Sequence, residues 1–556
     1  MATKYSPITQ PPSSSQERKV KINPPLWRTP EFYFYYVMFV IVVPYMLKTT
    51  YDLSVESHPN YEKYKHKLQD GWIFNRKVDN SDAQYSNFRD NFHLLLLFAS
   101  AYLVISHVAR RFLLPAPSKI PQRPLYNAYL FLTLSLLAIY GIHGNSLLKI
   151  LAILTINFGI GRVFKGSIAN PVLTWIFNVG ILFLNEMYDG YEFGWIDERL
   201  AVLDSFKGLL PRWQISFNIT MLRLISYNMD YYWSFKISSK SFEKDDRNGA
   251  PLNERDRIEA PCYESDYNYL YYLAYILYIP LFIAGPILTF NNYISQLRYP
   301  STEVTVKDTL IYALRFFGVL FVMELILHFF YVVAIKDTKA WEGDSPFELS
   351  MIGYFNLKII WLKLLLPWRF FRLWAMADGI DAPENMLRCM SNNYSGLSFW
   401  RSWHRSYNRW VIRYIYIPMG GSKNALLNLV LVFTFVAFWH DISLRLLAWG
   451  WLISLFVLPE VIARKVFSEK KWGDWPHYRH LCALGAVFNI LTMMIANLVG
   501  FCVGLEGMVE MLRGIFLSLN GLLFLFSSAA CLFIAVQIMF EVREEEKRRT
   551  GKEVRY

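Results

Sequence analysis

Residues 398–441 read SFWRSWHRSYNRWVIRYIYIPMGGSKNALLNLVLVFTFVAFWHD, and the rest of the chain is organised around them. They hold two of the ten histidines, His404 and His440, 36 positions apart. Pro418, Gly420 and Gly421 interrupt the stretch, which therefore predicts helix, turn, helix. At about 100° per residue, Trp400, Trp403, Tyr407 and Trp410 fall on one face of the first helix. Arg401, Arg405, Arg409 and Arg413 follow one another at i, i+4 on another, with His404 and Asn408 on the seam. An aromatic stripe serves core packing as readily as a ligand site. Four like charges at this spacing repel in an isolated helix, so phosphates are the expected partners.

The second helix starts near Ala425, and its only polar side chains before His440 are Asn428 and Thr434. Fifteen steps of helix put His440 roughly 22 Å from that start. If Ser422 and Lys423 mark one membrane face, the imidazole lies well toward the other. An ionisable group at such depth points to function. The alternative is a structural histidine capping the helix and paired with Asp441 or a neighbouring helix.

The whole chain places this pair in a membrane. Its 556 residues are 54% hydrophobic and 17% aromatic, with mean hydropathy +0.21. The net charge of +12 sits in loops and at helix ends, where it meets anionic headgroups and sets topology; nucleic-acid binding is excluded. The five cysteines show neither CxxC nor metal-ligand spacing. No P-loop or strand-borne GxGxxG supports nucleotide or dinucleotide chemistry.

Residues 1–30 read as a disordered, uncleaved tail and 541–556 as a charged tail, and their basic residues put both ends in the cytosol. Between them, residues 31–540 form one all-α membrane domain of ~11 transmembrane helices. Apolar runs fall near 32–47, 92–109, 126–142, 146–164, 168–187, 269–290, 308–335, 350–375, 443–463, 480–504 and 514–540. Residues 51–91 and 236–268 are polar loops, and the Pro-rich PAPSKIPQRP follows Arg111. The amphipathic stretch 195–235 is expected to be re-entrant or interfacial. Glu324 and His328, at i, i+4 within an apolar helix, are either a proton relay or a satisfied pair. Gly285 and Pro286 predict a kink, and Asp381 is a candidate helix N-cap before Pro383. Cys389 is an inert thiol, an acylation site or a ligand to a metal centre.

Taken together, FIAGPI at 282–287, FWRSWHRSYNRWVIRYIYIPMGGSKN at 399–424 and FWHD at 438–441 resemble the membrane-bound O-acyltransferase superfamily. The amphipathic ISFNITMLRLISYNMDYYW at 215–233 belongs to the same resemblance, which runs from about residue 200 to 465. The whole chain is most similar to the fungal glycerol-uptake branch, implicated in remodelling glycosylphosphatidylinositol (GPI) anchors. That resemblance implies a catalytic role for His440, with His404 at the second active-site position. A histidine there, rather than an acid, disfavours protein palmitoylation.

It further implies acyl-CoA as co-substrate, with Arg401, Arg405, Arg409, Asn408 and Lys423 around the donor, and a lyso-GPI or other lipid acceptor. It places the chain in the endoplasmic reticulum membrane, with the plasma membrane a second location. Cys389 matches a haem-ligating position of a neighbouring branch. The competing class is a polyol or glycerol–proton symporter working through Glu324 and His328.

Overall fold

The structure is a computed structural model that describes residues 23–112, 123–236, 253–300 and 304–551. The first 22 residues of the expected tail, most of PAPSKIPQRP, the middle of the 236–268 loop and residues 552–556 lie outside the described residues. Among those described, nine helices are long and apolar enough to cross a bilayer. Three more helices, Ala169–Met187, Trp213–Ser234 and Ala425–His440, pack among them. The one sheet is a hairpin pairing Gln69–Asp70 with Lys77–Val78.

Local chemistry sets the helix ends. Thr29 caps Phe32 N with Pro30 at the first turn; Thr305 and Ser345 each form a full capping box, with Asp308 and Glu348. Asp378 closes the 346–377 helix and is buried beneath Arg110 (2.5 Å), the Tyr278 hydroxyl (2.7 Å) and Ser106 (2.8 Å). No helix starts at Asp381; its backbone N–H donates to Gln296 instead.

The first and last helices of the bundle are fastened together at one end. Leu26 N donates to Glu541, Asn23 bonds Glu544, and Arg548 reaches the Asn23 carbonyl. Arg479 grips Glu31 at 2.6 Å. The Leu519–Thr550 helix continues without a break through this contact, and Glu541 is buried within it.

Two expected elements take another form. The apolar run at 269–290 is not a span: it forms Tyr269–Ile276 and Ile279–Phe282, then irregular chain to Phe290. Pro280 and Pro286 prevent one continuous helix. The carbonyls freed by the break are satisfied by Arg223, which bonds Ile276 O at 2.9 Å and also Leu281 O. Residues 195–235 are not a single interfacial piece either. An exposed 3₁₀ segment, Glu198–Ser205, precedes the Trp213–Ser234 helix, which is buried over most of its length. A stripe of polar side chains reads as surface, but here it bonds neighbouring helices.

Glu324 and His328 form a satisfied pair. Arg89 holds the Glu324 carboxylate through Nε (2.7 Å) and Nη2 (2.8 Å), and Trp72 Nε1 adds a third bond. His328 Nδ1 meets the Glu324 carbonyl at 2.7 Å, and Nε2 accepts from Trp72 N. These bonds pin the 51–91 loop to the bundle. Arg89→Met strands the carboxylate, so a loss of about 3 kcal/mol is expected, read as a lowered unfolding temperature in detergent.

Candidate active site

The expected continuous helix from 398 is broken at its centre. Gly396–Ser402 is helical, Trp403 is extended, and His404 takes the left-handed conformation at φ 45°, ψ 53° before Arg405–Val411 resumes. A buried non-glycine residue in that region costs of order 1–3 kcal/mol and persists only where its surroundings enforce it. Asn385 does so. Its carbonyl accepts from Arg405 N (3.0 Å) and its Oδ1 from Ser406 N (3.1 Å). Ser406 Oγ in turn accepts from Ile287 N at 2.9 Å, tying the 282–287 motif to the same bend.

The bend carries the His404 imidazole into an aromatic slot. Its ring stacks on Trp368 at 4.3 Å and on Tyr407 at 5.2 Å, and only 9% of the residue is exposed. Beyond it the helix widens into a π-turn at Ile412–Tyr416. Trp410 Nε1 donates to Leu222 O, while Arg413 and the Tyr414 hydroxyl share Asp230 Oδ1 at 3.0 and 2.9 Å. The Trp213–Ser234 helix is thus the scaffold for the whole segment.

The same helix fixes His440. Asn218 Nδ2 donates to Trp439 O at 3.0 Å, and Trp439 Nε1 donates back to Asn218 O at 2.8 Å. Trp439 is buried, but His440 at the helix terminus keeps accessible surface, so a reactant can reach it. Its ring lies 4.7 Å from Trp439 and 6.4 Å from Tyr407. His404 lies 6.1 Å from the same Trp439. The two imidazoles, 36 residues apart in sequence, flank one stacked Trp439–Tyr407 pair whose rings are 4.4 Å apart.

The arginine stripe is divided by the bend. Arg409 Nη1 and Arg405 Nη2 converge on Glu254, at 2.6 and 3.5 Å. Arg413 is committed to Asp230. Arg401, on the other side of the break, is exposed and lines a separate cleft. Lys423 is exposed in the 421–424 turn, and Asn408 is half-buried one turn after His404. Burial works to raise the Glu254 carboxyl, but Arg409 and Arg405 outweigh it and hold it below the usual carboxylate range.

Asn385, Trp368 and Glu254 carry no sequence signal of their own, since each meets the motif only through the fold, whereas Asn218 lies in the 215–233 stretch of the resemblance. The Cys389 thiol is exposed and is not part of the lining of the neighbouring cleft. No cluster of three or more His, Cys, Asp or Glu suited to a metal ion occurs among the described residues.

Asn218→Leu is expected to act on His440 without touching a reactant. It removes one of two bonds orienting the helix end, so kcat falls about tenfold while donor KM stays put. Asn218→Gln, which restores an amide donor, recovers part of that loss; a change in KM alone would exclude this positioning role.

The profile of MBOAT, the membrane-bound O-acyltransferase family, matches residues 204–505. The membrane-bound O-acyltransferase GUP1 of Saccharomyces cerevisiae is 49% identical over 544 residues, covering 97% of this chain and 95% of the relative. GUP1 of Candida tropicalis is also 49% identical, over 97% of this chain and 92% of its own length. The protein-cysteine N-palmitoyltransferase HHAT of Mus musculus is 27% identical over 42% of this chain and 50% of its own.

Proposed function

The chain belongs to the membrane-bound O-acyltransferase family, and from that premise we propose that it moves a long acyl chain from acyl-CoA to a lipid hydroxyl. The acceptor in this reading is the lyso-phosphatidylinositol moiety of a GPI anchor, in the endoplasmic reticulum membrane. The observation that carries it is the pair of imidazoles on one aromatic platform, with a cationic patch on the adjoining helix.

His440 takes the proton from the acceptor hydroxyl as that oxygen attacks the thioester carbonyl. The C–S bond then breaks, an ester C–O bond has formed, and the proton passes to the departing CoA thiolate. The thioester is already activated, so no acyl-enzyme is required. His404, held by Trp368 and Tyr407, orients the carbonyl and stabilises the charge developing on its oxygen, with Asn408 as a supporting donor.

Arg405 and Arg409, with Lys423, hold the phosphates of the donor. Arg405 and Arg409 follow the His404 bend directly, while Lys423 sits in the turn that opens the Ala425–His440 helix. The test is CoA release by the purified full-length protein given a long-chain acyl-CoA and a lyso-phosphatidylinositol lipid. Release that depends on both substrates supports the reading; release with the donor but indifferent to the lipid removes the proposed acceptor.

A further inference from the structure

A cleft of about 1260 Å³ lies apart from the imidazole pair, among the Gly396–Ser402, Leu444–Val466, Tyr478–Phe501 and Leu519–Thr550 helices. Its volume exceeds that of a typical small-ligand pocket. Neither imidazole nor the Trp439–Tyr407 pair forms part of its wall. The wall is amphipathic along the helix axes. At the end where Leu26 meets Glu541 it is charged; deeper in it is apolar, with Leu484 and Phe488 exposed at 61% and 52%.

Most of the charge there is internally matched. Arg464 meets Glu460 at 2.6 Å, Arg388 meets Glu546 at 2.5 Å, and Lys547 meets Glu544 at 2.5 Å. Arg401 differs: among the described residues no carboxylate lies within ion-pair distance of it, and it is exposed to the cleft. A guanidinium with no carboxylate partner at the polar mouth of an apolar slot matches one class of molecule, an anionic head carrying hydrocarbon chains.

We propose that this cleft is a binding site for an anionic glycerophospholipid of the surrounding leaflet, with Arg401 on its phosphate and Leu484 and Phe488 against its chains. The bound lipid is a fixed part of the wall behind the Gly396–Ser402 helix, and that helix leads directly into the His404 bend. It differs from the proposed acyl donor in position, because neither His404 nor His440 lines the cleft. Headgroup selection follows from charge, since a zwitterionic head brings its own cation to the mouth.

The test uses the full-length protein in phosphatidylcholine nanodiscs carrying a trace of phosphatidylserine with a diazirine in its acyl chain, with crosslinks mapped by peptide mass spectrometry. Labelling is expected on the Leu444–Val466 and Tyr478–Phe501 helices. Excess unlabelled phosphatidylserine should suppress it, and coenzyme A should leave it intact. Arg401→Gln is expected to lower labelling about tenfold, and Arg401→Lys to keep most of it. Equal labelling by a phosphatidylcholine probe, or unchanged labelling of Arg401→Gln, overturns the proposal. Suppression by coenzyme A also overturns it and assigns the cleft to the donor, an outcome distinct from loss of the acyl-transfer reaction itself.

Discussion

Replacing His440 with alanine is expected to lower the turnover of acyl transfer by about a thousandfold, the scale of losing a positioned general base. The ring ends a helix whose preceding residue is tied in both directions to Asn218, so the change removes the imidazole and leaves its support. The helix and the Trp439–Tyr407 stack survive it, and the unfolding temperature in detergent should hold. Donor affinity should hold as well, because the proposed phosphate contacts are made by Arg405, Arg409 and Lys423 and not by His440. The measurement is CoA release under saturating donor and acceptor. Wild-type turnover in His440→Ala would end the base assignment, and a collapse in stability would recast His440 as a structural cap.

The second large effect is expected at the arginine pair. Arg405→Gln combined with Arg409→Gln should raise donor KM by about a hundredfold, since a charge-assisted contact contributes about 1.5–3 kcal/mol. Glu254→Gln should do the reverse. The carboxylate occupies both guanidinium groups when no phosphate is present, so its removal frees them and lowers donor KM. The two guanidinium groups keep Glu254 ionised below the usual carboxylate range. The clamp is therefore intact at neutral pH and loosens only as pH falls through that lowered value. At neutral pH the donor must displace it, and the gap in donor KM between wild type and Glu254→Gln should narrow in acid. A Glu254→Gln protein with raised KM would show that the carboxylate supports the donor site.

Much of this architecture was legible in the sequence because the bilayer forces it. Apolar runs long enough to span must be helical, and most of the expected segments are helices within a few residues of their predicted bounds. The run at 269–290 misled because hydropathy reports burial, and a broken segment enclosed by protein is as apolar as a span. Arg223, which makes that break possible, lies 53 residues from Ile276. The pairing of His404 with His440 was an expectation of motif resemblance, and the fold brings both rings to one aromatic pair. The division of the arginines was not legible. Helical periodicity assumes an unbroken helix, and the left-handed turn at His404 is enforced by Asn385, whose part in it no local pattern announces.

The fastening of residues 23–31 to the final helix has a consequence for biogenesis. In a nascent chain Glu31, the Leu26 N–H and the Asn23 side chain are made 448 or more residues before their partners Arg479, Glu541 and Glu544. The earlier helices can enter the membrane in order, yet this fastening lacks its second half until the Leu519–Thr550 helix is made. The Pro30–Asp52 helix can pack earlier, with Tyr45 stacked on Phe347, but its Glu31 end lacks Arg479 until much later. A premature stop before residue 541 therefore leaves residues 23–26 without the partners that the Leu519–Thr550 helix supplies.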